Sequence, residues 1–269
     1  MVITNRRGFL MMTNSVFEFY LTEVDQPFSG WDFSYITDTE RMSATPLPWS
    51  YTSSVIKPFR TSESVLDMGT GGGEFLEALK PFPKKLSATE GYPPNLPIAK
   101  ARLEPQGIIV KGVEDDHHLP FSNEEFQLVM NKHDSYSPTE VHRILDTTGS
   151  FITQQVGGED MKELNRVLEA PLKSEFDHWN LDYAVQELEA AGFHILEANE
   201  AFPSTRFYDI GAIIYYLKAI PWQIPDFSTA RYQFALYRLH GQIEKNGFID
   251  FPSHRFLIHA TKPDHADEY

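Results

Sequence analysis

From about residue 64 onward, short apolar runs alternate with amphipathic segments, and this alternation constrains the fold more than any other feature. The apolar runs predict strands at 64–68, 85–90, 107–112, 125–132, 149–156, 193–200 and 254–261. The segments with helical spacing between them lie at 73–80, 96–104, 138–146 and 182–192. Such alternation predicts an α/β fold, with a mostly parallel sheet and helices on both faces. Ligands of such sheets bind beyond the carboxyl ends of the strands, where the strand order reverses.

The first predicted strand leads directly into a glycine-rich loop, within the sequence SVLDMGTGGGEFLEAL from Ser64 to Leu79. No lysine follows the glycines until Lys80, so the loop lacks the GxxxxGK[ST] pattern of nucleoside triphosphate sites. Glu74 stands where the dinucleotide fingerprint needs a small third residue. Its carboxylate would also compete with a pyrophosphate for the positive end of the helix. The loop therefore argues against phosphate-bearing cofactors.

Acidic residues follow three successive predicted strands. Asp67 lies two residues before the first glycine, Glu90 ends the second strand, and Glu114 and Asp115 follow the third. A carboxylate at the end of the second strand can accept both hydroxyls of a ribose, and an acid after the third can accept an adenine amino group. Asp67 as a local turn cap and Glu114–Asp115 as a solvated acidic loop remain open alternatives. Together the acids favour a positively charged adenosine cofactor.

Four further stretches follow a known pattern in order and spacing: ATEGY at 88–92, VEDDHHLPF at 113–121, FQLVMNKHDSY at 126–136 and RILDTTGSFITQQV at 143–156. With the glycine-rich loop, they resemble the motifs of class I S-adenosylmethionine-dependent methyltransferases, types 11 and 25 among them. The resemblance covers about residues 60 to 200. It implies a Rossmann-like fold with a seven-stranded, mostly parallel sheet whose last strand is antiparallel. Residues 146–149, where the family often has Lys-Pro-Gly-Gly, are predicted to form a surface turn.

The resemblance also implies a cofactor, S-adenosylmethionine, and a product, S-adenosylhomocysteine. Residue by residue, it assigns the methionine part to the glycine-rich loop, the ribose to Glu90 and the adenine to the acids after the third strand. The cofactor-binding residues that it implies are Asp67, Gly69, Thr70, Gly71, Gly73, Glu90, Gly91, Tyr92, Glu114, Asp115 and Asn131. Asn131 would contact the cofactor through its backbone, and Lys132 and His133 would face the reacting centre.

His133 is the candidate catalytic residue, because it follows the fourth predicted strand and imidazole titrates near neutral pH. It is predicted either to act as a base or to position the acceptor, with Asp134 as its orienting partner. Local packing of His133 remains an open alternative. A base is required only if the attacking atom must lose a proton. The neighbouring histidines 117 and 118 lack the spacing of a helical metal site, so no metal is predicted.

Aromatic residues are predicted to line an acceptor pocket, with ordinary hydrophobic cover as the alternative for each. The candidates are Trp31, Trp49, Tyr51, Tyr136 and Trp222. Residues 1–60 are predicted to be an N-terminal helical and aromatic extension that covers the site. Residues 61–269 are predicted to form the S-adenosylmethionine-binding methyltransferase domain, with a helical insertion at about 201–253.

Composition narrows the choice of partners. The formal charge of −15 at pH 7 disfavours a nucleic-acid surface, and the lack of cysteine excludes disulfides and thiolate chemistry. No apolar run approaches the roughly 18 residues that span a bilayer, and the protein is predicted to be cytoplasmic. The predicted function is methyl transfer to a small-molecule acceptor. The alternatives are an RNA or protein methyltransferase and a non-catalytic protein that binds S-adenosylmethionine or S-adenosylhomocysteine.

Overall fold

The structure is a computed structural model that describes residues 3–4, 10–11, 14–29, 32–172 and 174–263. The chain divides into two compact units. The unit that we call the sheet unit comprises Leu47–Asp160, Glu175–Phe202 and His254–Tyr269. The second, which we call the helical unit, comprises Met1–Pro46, Met161–Ser174 and Pro203–Ser253. The boundaries predicted at residues 60, 201 and 253 stay a prediction.

Strands and helices are numbered in chain order. The strands are β1 Ile3–Thr4, β2 Leu10–Met11, β3 Met42–Ala44, β4 Ser64–Met68, β5 Lys85–Glu90, β6 Ile109–Gly112, β7 Phe126–Lys132, β8 Leu145–Val156, β9 His194–Ala201, β10 Ser204–Phe207, β11 Ile249–Pro252 and β12 Arg255–Thr261. The α-helices are α1 Ser15–Leu21, α2 Ser34–Thr37, α3 Tyr51–Thr61, α4 Glu74–Ala78, α5 Leu96–Leu103, α6 Pro138–Ile144, α7 Lys162–Val167, α8 Leu181–Ala190, α9 Ile210–Ala219 and α10 Thr229–Asn246.

The sheet unit contains a seven-stranded sheet in the order β6-β5-β4-β7-β8-β12-β9. From β6 to β8 neighbouring strands are parallel, and β12 is antiparallel to both β8 and β9. The chain runs outward from β4 to β6 and then returns to β7 on the other side of β4. The strand order therefore reverses between β4 and β7, which is where such sheets bind ligands. The predicted α/β fold, with its antiparallel last strand, is confirmed.

Both faces of this sheet are buried because side chains alternate along each strand. On β4, Val65 packs in one hydrophobic cluster and Leu66 in another. The first cluster includes buried residues of α3, α4 and α5, and the second includes residues of α6 and α8. Register across the centre of the sheet places Met68 beside Asn131 and Asn131 beside Thr153. The carboxyl ends of β4, β7 and β8 therefore meet at one edge.

The helical unit has a core of its own. Nearly every residue of α9 is buried, which fits a helix that is apolar around its whole circumference. Buried residues of α1, α7 and α10 join the same cluster. A small antiparallel sheet in the order β11-β10-β3 completes the unit. Among the described residues, no helix combines the length and apolarity needed to cross a membrane.

One local prediction is wrong. Residues 146–149, predicted as a surface turn, belong to β8, which begins at Leu145 directly after α6. Leu145 pairs with Phe126, and the register then shifts before Leu128 pairs with Ser150. Polar residues are tolerated there because the register irregularity lies at the amino end of the strand. The segment 201–253, predicted as a helical insertion, contains the helices α9 and α10 and also the strands β10 and β11. The sequence does not predict these two strands, because four residues are too few to show a period.

Candidate functional site

The loop Gly69–Gly73, here called the glycine loop, connects β4 to α4 through three left-handed glycines. The φ angles of Gly69, Gly71 and Gly73 are +66°, +63° and +85°. A Cβ at Gly69 would lie 2.3 Å from Cβ of Asp134, and one at Gly73 would lie 2.8 Å from the side chain of Leu103. The backbone N–H of Thr70 donates to the carbonyl of Thr89 at 2.9 Å. Glycine is therefore required both by the backbone angles and by the close neighbours.

Glu90, at the end of β5, holds the glycine loop. Its two carboxylate oxygens accept from the backbone N–H of Gly71 at 2.6 Å and of Tyr92 at 2.7 Å. Burial raises the pKa of Glu90, and the backbone hydrogen bonds oppose that rise. The backbone N–H of Gly91 contributes a third hydrogen bond. A carboxylate has about four acceptor positions, so Glu90 can support the loop and still accept a hydroxyl of a ligand.

Two further acids lie against the glycine loop. Asp67, the fourth residue of β4, is 4% exposed, and burial raises its pKa to about 7. The pKa of Asp134 is also raised to about 7, by burial first and then by the neighbouring charges of Asp116 and Glu90. Removing carboxylates from water while grouping them together favours their neutral form. A ligand with positive charge would stabilise their ionised form.

Asn131 is buried completely at the end of β7 and organises the residues that follow. Its Oδ1 accepts from Oγ1 of Thr153 at 2.9 Å and from Nε2 of Gln155 at 2.6 Å. Gln155 also donates to the backbone carbonyl of Asp134 at 2.9 Å. This network fixes the chain between Asn131 and Asp134, and so fixes the acid that lies against Gly69.

Lys132 and His133 follow on the same edge, with solvent-open side chains. The ammonium of Lys132 lies 5.3 Å from the ring centre of Phe75 and 5.9 Å from that of Tyr51. Tyr51 is buried, and its ring lies 5.5 Å from that of Phe75. Nε2 of His133 lies 2.9 Å from Nε2 of Gln154, whose Oε1 accepts from Nε1 of Trp49 at 2.9 Å. The two predicted roles of His133, as a base or as a positioning group, stay predictions.

The adenine side is brought together only in part. A Cβ at Gly91 would lie 3.2 Å from the carbonyl of Val113, so the ends of β5 and β6 meet as expected. Glu114 and Asp115 are exposed, and Asp115 accepts from the N–H of His117 at 2.9 Å. Tyr92 is 50% exposed. The assignment of these residues to adenine stays a prediction.

The aromatic candidates separate into different environments. Trp49 and Tyr51 lie in the sheet unit close to Gln154 and Phe75, as described above. Tyr136 packs against Phe151 and Trp179, with ring centres 4.9 and 5.9 Å away, and thus contributes to the core. Trp222 belongs to the helical unit and is half exposed. Trp31 lies outside the described residues.

The sequence analysis does not predict several residues at or near the carboxyl edge of the sheet. They are Phe75, Arg102, Thr153, Gln154 and Gln155. The signal for two of them is the pair of amides that ends the apolar run FITQQV, because buried amides need hydrogen-bond partners. Within the described part of the chain, no three His, Asp or Glu residues are arranged to hold a metal ion.

Comparison with known proteins supports the fold and the domain type. Residues 66–153 match a family model described as a methyltransferase domain. Among curated proteins, none matches the chain. A candidate methyltransferase from Bacillus halodurans C-125 is 19% identical, with a TM-score of 0.54 over 78% of this chain and 98% of that one.

Two further solved structures share the fold. The YcgJ protein of Bacillus subtilis is 16% identical, with a TM-score of 0.54 over 79% of this chain and 97% of that one. A candidate sarcosine dimethylglycine methyltransferase from Galdieria sulphuraria is 12% identical, with a TM-score of 0.51 over 93% of this chain and 99% of that one. The fold is therefore that of class I methyltransferases. Residues 66–153 match the model of a methyltransferase domain, which is consistent with the resemblance that the sequence motifs show.

Proposed function

We propose that this protein is an S-adenosylmethionine-dependent methyltransferase that acts by in-line transfer on a small-molecule acceptor. The observation that carries the proposal is the group of acids around the glycine loop, Asp67, Glu90 and Asp134. Two of them have pKa values raised to about 7, so each gains when a positive charge binds nearby. S-Adenosylmethionine has two such charges, on its sulfonium and its ammonium.

The residues present fit this cofactor better than a phosphate-bearing one. An anion bound at the glycine loop would meet the buried carboxylates of Asp67 and Asp134, and repulsion would weaken its binding. The remaining acceptor capacity of Glu90 suits a ribose hydroxyl. Because Gly69 has no side chain, Asp134 packs directly against the backbone of the glycine loop and brings its carboxylate to the site.

Methyl transfer from a sulfonium needs little from the protein beyond positioning. When bound, S-adenosylmethionine would supply a methyl group on an excellent leaving group. The glycine loop and Glu90 would hold the adenosine and methionine parts, and Asp67 and Asp134 would hold the positive charge. The protein must then orient the acceptor in line and exclude water. Lys132 and His133, at the end of β7, are the groups placed to orient it.

A small-molecule acceptor is favoured by the charge of the chain. A formal charge of −15 opposes binding to a phosphate backbone. An RNA or protein methyltransferase of the same fold is the first alternative, and a protein that binds the cofactor without catalysis is the second. The alternatives differ in where a labelled methyl group would appear.

Isothermal titration is the direct test of the cofactor. We expect binding heat with S-adenosylmethionine and S-adenosylhomocysteine and none with NAD. Glu90→Gln keeps the size of the side chain but removes its charge, and should weaken S-adenosylhomocysteine binding more than about tenfold, which corresponds to roughly 1.5–3 kcal/mol. Glu189→Gln, an exposed position on α8, is the matched control. Binding of NAD without S-adenosylhomocysteine would overturn the proposal.

Transfer itself is tested with methyl-labelled S-adenosylmethionine and fractionated cell extracts. Label in the small-molecule fraction supports the proposed acceptor class. Label in RNA or protein supports the first alternative. Binding of the cofactor with no label in any fraction supports the non-catalytic alternative.

A further inference from the structure

Trp49 determines which way the side-chain amide of Gln154 points. The indole Nε1–H of Trp49 is a donor only, so its partner 2.9 Å away must be the amide oxygen of Gln154. The amide nitrogen of Gln154 therefore points away from Trp49. Gln154 is 4% exposed, so the amide has little room for another orientation. The orientation follows from the chemistry of the donor.

The amide nitrogen of Gln154 in turn determines the protonation of His133. That nitrogen lies 2.9 Å from Nε2 of His133, and an amide nitrogen can only donate. Nε2 of His133 must therefore accept, with its lone pair already used. A neutral imidazole that accepts at Nε2 has its proton on Nδ1.

The surroundings of His133 keep the ring neutral. Its backbone N–H donates to the carbonyl of Gln154 at 2.8 Å, which fixes the residue at a left-handed φ of +62°. The ring is open to solvent on one side, but the protein around it is dense, and this desolvation lowers the pKa of His133 far below its ordinary value. The positive charges of Arg255 and Lys132 lower the pKa further.

We propose that Trp49 and Gln154 hold His133 in its Nδ1–H tautomer, and that His133 and Lys132 together bind an oxyanion of the methyl acceptor. Trp49 and Gln154 are positioning residues, and His133 is a hydrogen-bond donor rather than a base. The assignment of the oxyanion to an acceptor rests on the proposed function. The protonation state of His133 does not.

Lys132 supplies the charge that makes an anion the preferred occupant. Its ammonium forms no ion pair with any residue that the structure describes, and it lies over the rings of Phe75 and Tyr51. Although the side chain of Lys132 is exposed, desolvation by the surrounding protein lowers its pKa, and the charge of Asp67 opposes that effect. A carboxylate or phenolate bound here would give Lys132 a partner and would accept from Nδ1–H of His133. An acceptor that arrives as an anion also needs no base to remove a proton.

Nitrogen-15 NMR of histidine-labelled protein tests the tautomer without cofactor or acceptor. His133→Asn identifies the His133 signals among the ten histidines. We expect a neutral ring with its proton on Nδ1 from pH 5.5 to 8. Gln154→Glu replaces the donor with an acceptor, so the proton should move to Nε2 or the ring should become charged. Gln127→Glu, at the amino end of β7, should leave the spectrum unchanged. A proton on Nε2 in the unaltered protein, or a midpoint near 6.5, overturns the tautomer assignment.

Benzoate is the probe for the oxyanion, with benzylammonium as a cation of matched size. We expect benzoate to shift the Nδ1–H signal of His133, and Lys132→Met to weaken its binding at least about tenfold, as for loss of a charge-assisted hydrogen bond. Equal binding of benzylammonium, no binding of benzoate, or unchanged affinity in Lys132→Met overturns the oxyanion assignment. Neither NMR experiment uses S-adenosylmethionine. A negative result in the calorimetric test of the cofactor is therefore distinguishable from a negative result for the tautomer or for the oxyanion site.

Discussion

Single residues at the carboxyl edge of the sheet lower the stability of the free protein. Asp67 is almost completely buried, yet no cation pairs with it directly among the described residues. A raised pKa in the folded state means that folding favours the protonated acid. Below about pH 4 the acid is neutral in both the folded and the unfolded state, and the free energy of unfolding is at its full value. It falls as the pH rises from there through about 7, because the unfolded state loses its proton first.

Asp67→Asn should therefore stabilise the free protein while weakening the binding of S-adenosylmethionine. The uncharged amide avoids the desolvation of a carboxylate, so we expect a gain of about 2–4 kcal/mol in unfolding free energy at pH 8.5. The gain should shrink between pH 7 and pH 5.5. Urea unfolding at these pH values measures it, and Asp182→Asn at an exposed position should change stability by less than about 0.5 kcal/mol. A loss of stability at pH 8.5 would contradict the prediction.

The sequence predicts those residues of the site whose location in the fold depends only on where they lie along a strand. Asp67 and Glu90 lie at the carboxyl ends of parallel strands, and these ends meet at one edge. The contact of Gln154 with His133 depends on the pairing of β7 with β8, and its contact with Trp49 depends on side-chain rotamers. The sequence contains neither directly. Tyr136 has the same residue type as a pocket aromatic, and only its neighbours Phe151 and Trp179 reveal its place in the core.

At the scale of elements, Arg102 connects α5 to the beginning of α4. Its guanidinium donates to the carbonyl of Gly72 at 2.8 Å, to Glu74 at 2.6 Å and to Glu77 at 3.2 Å. The carbonyl of Gly72 belongs to the glycine loop, so α5 supports the loop from the side of α4. Glu74, which disfavours a dinucleotide, thus has a structural partner.

Arg102→Met keeps the apolar stem of the side chain but removes its donors. The glycine loop should then open more often, and amide hydrogen exchange between Gly71 and Leu76 should accelerate about five- to tenfold, as for the net loss of one ordinary hydrogen bond. Hydrogen exchange with mass spectrometry measures this effect. Lys100→Met in the same helix is the control. Unchanged exchange in Arg102→Met would mean that the loop holds its shape without α5.

The sequence predicts the strands and helices that are long enough to show a periodic pattern of apolar residues. The strands of the sheet unit begin and end close to the predicted residues, because apolar runs of this length bury both faces. The strands β3, β10 and β11 have three or four residues each. β3 pairs with β10 across more than 150 residues of chain, and β10 pairs with β11 across more than 40. Strands this short leave no periodic pattern in a single sequence, and neither does the pairing of distant segments.

At the scale of the whole molecule, the excess of acidic residues decides which partners can approach. The chain has 38 acidic and 23 basic residues, apart from histidine. Binding to nucleic acid depends on releasing counterions from phosphates by basic side chains, and a strongly negative protein gains little from it. A small acceptor is far less affected, because charges further apart than a Debye length of about 8 Å are screened at physiological salt.

We expect no binding of labelled double-stranded or single-stranded RNA at physiological salt, by fluorescence anisotropy, either alone or with S-adenosylhomocysteine. A basic protein of similar size is the positive control. Binding that weakens steeply as salt rises would contradict this expectation and would favour the RNA methyltransferase alternative.

The position of β12 has a consequence for how the protein is made. This strand contains residues 255–261 and lies inside the sheet, between β8 and β9. During synthesis β8 and β9 therefore leave the ribosome long before the strand that joins them exists. Until then each presents an unpaired edge to other chains. Chaperones should bind nascent chains that end before residue 255, and release chains in which β12 is complete.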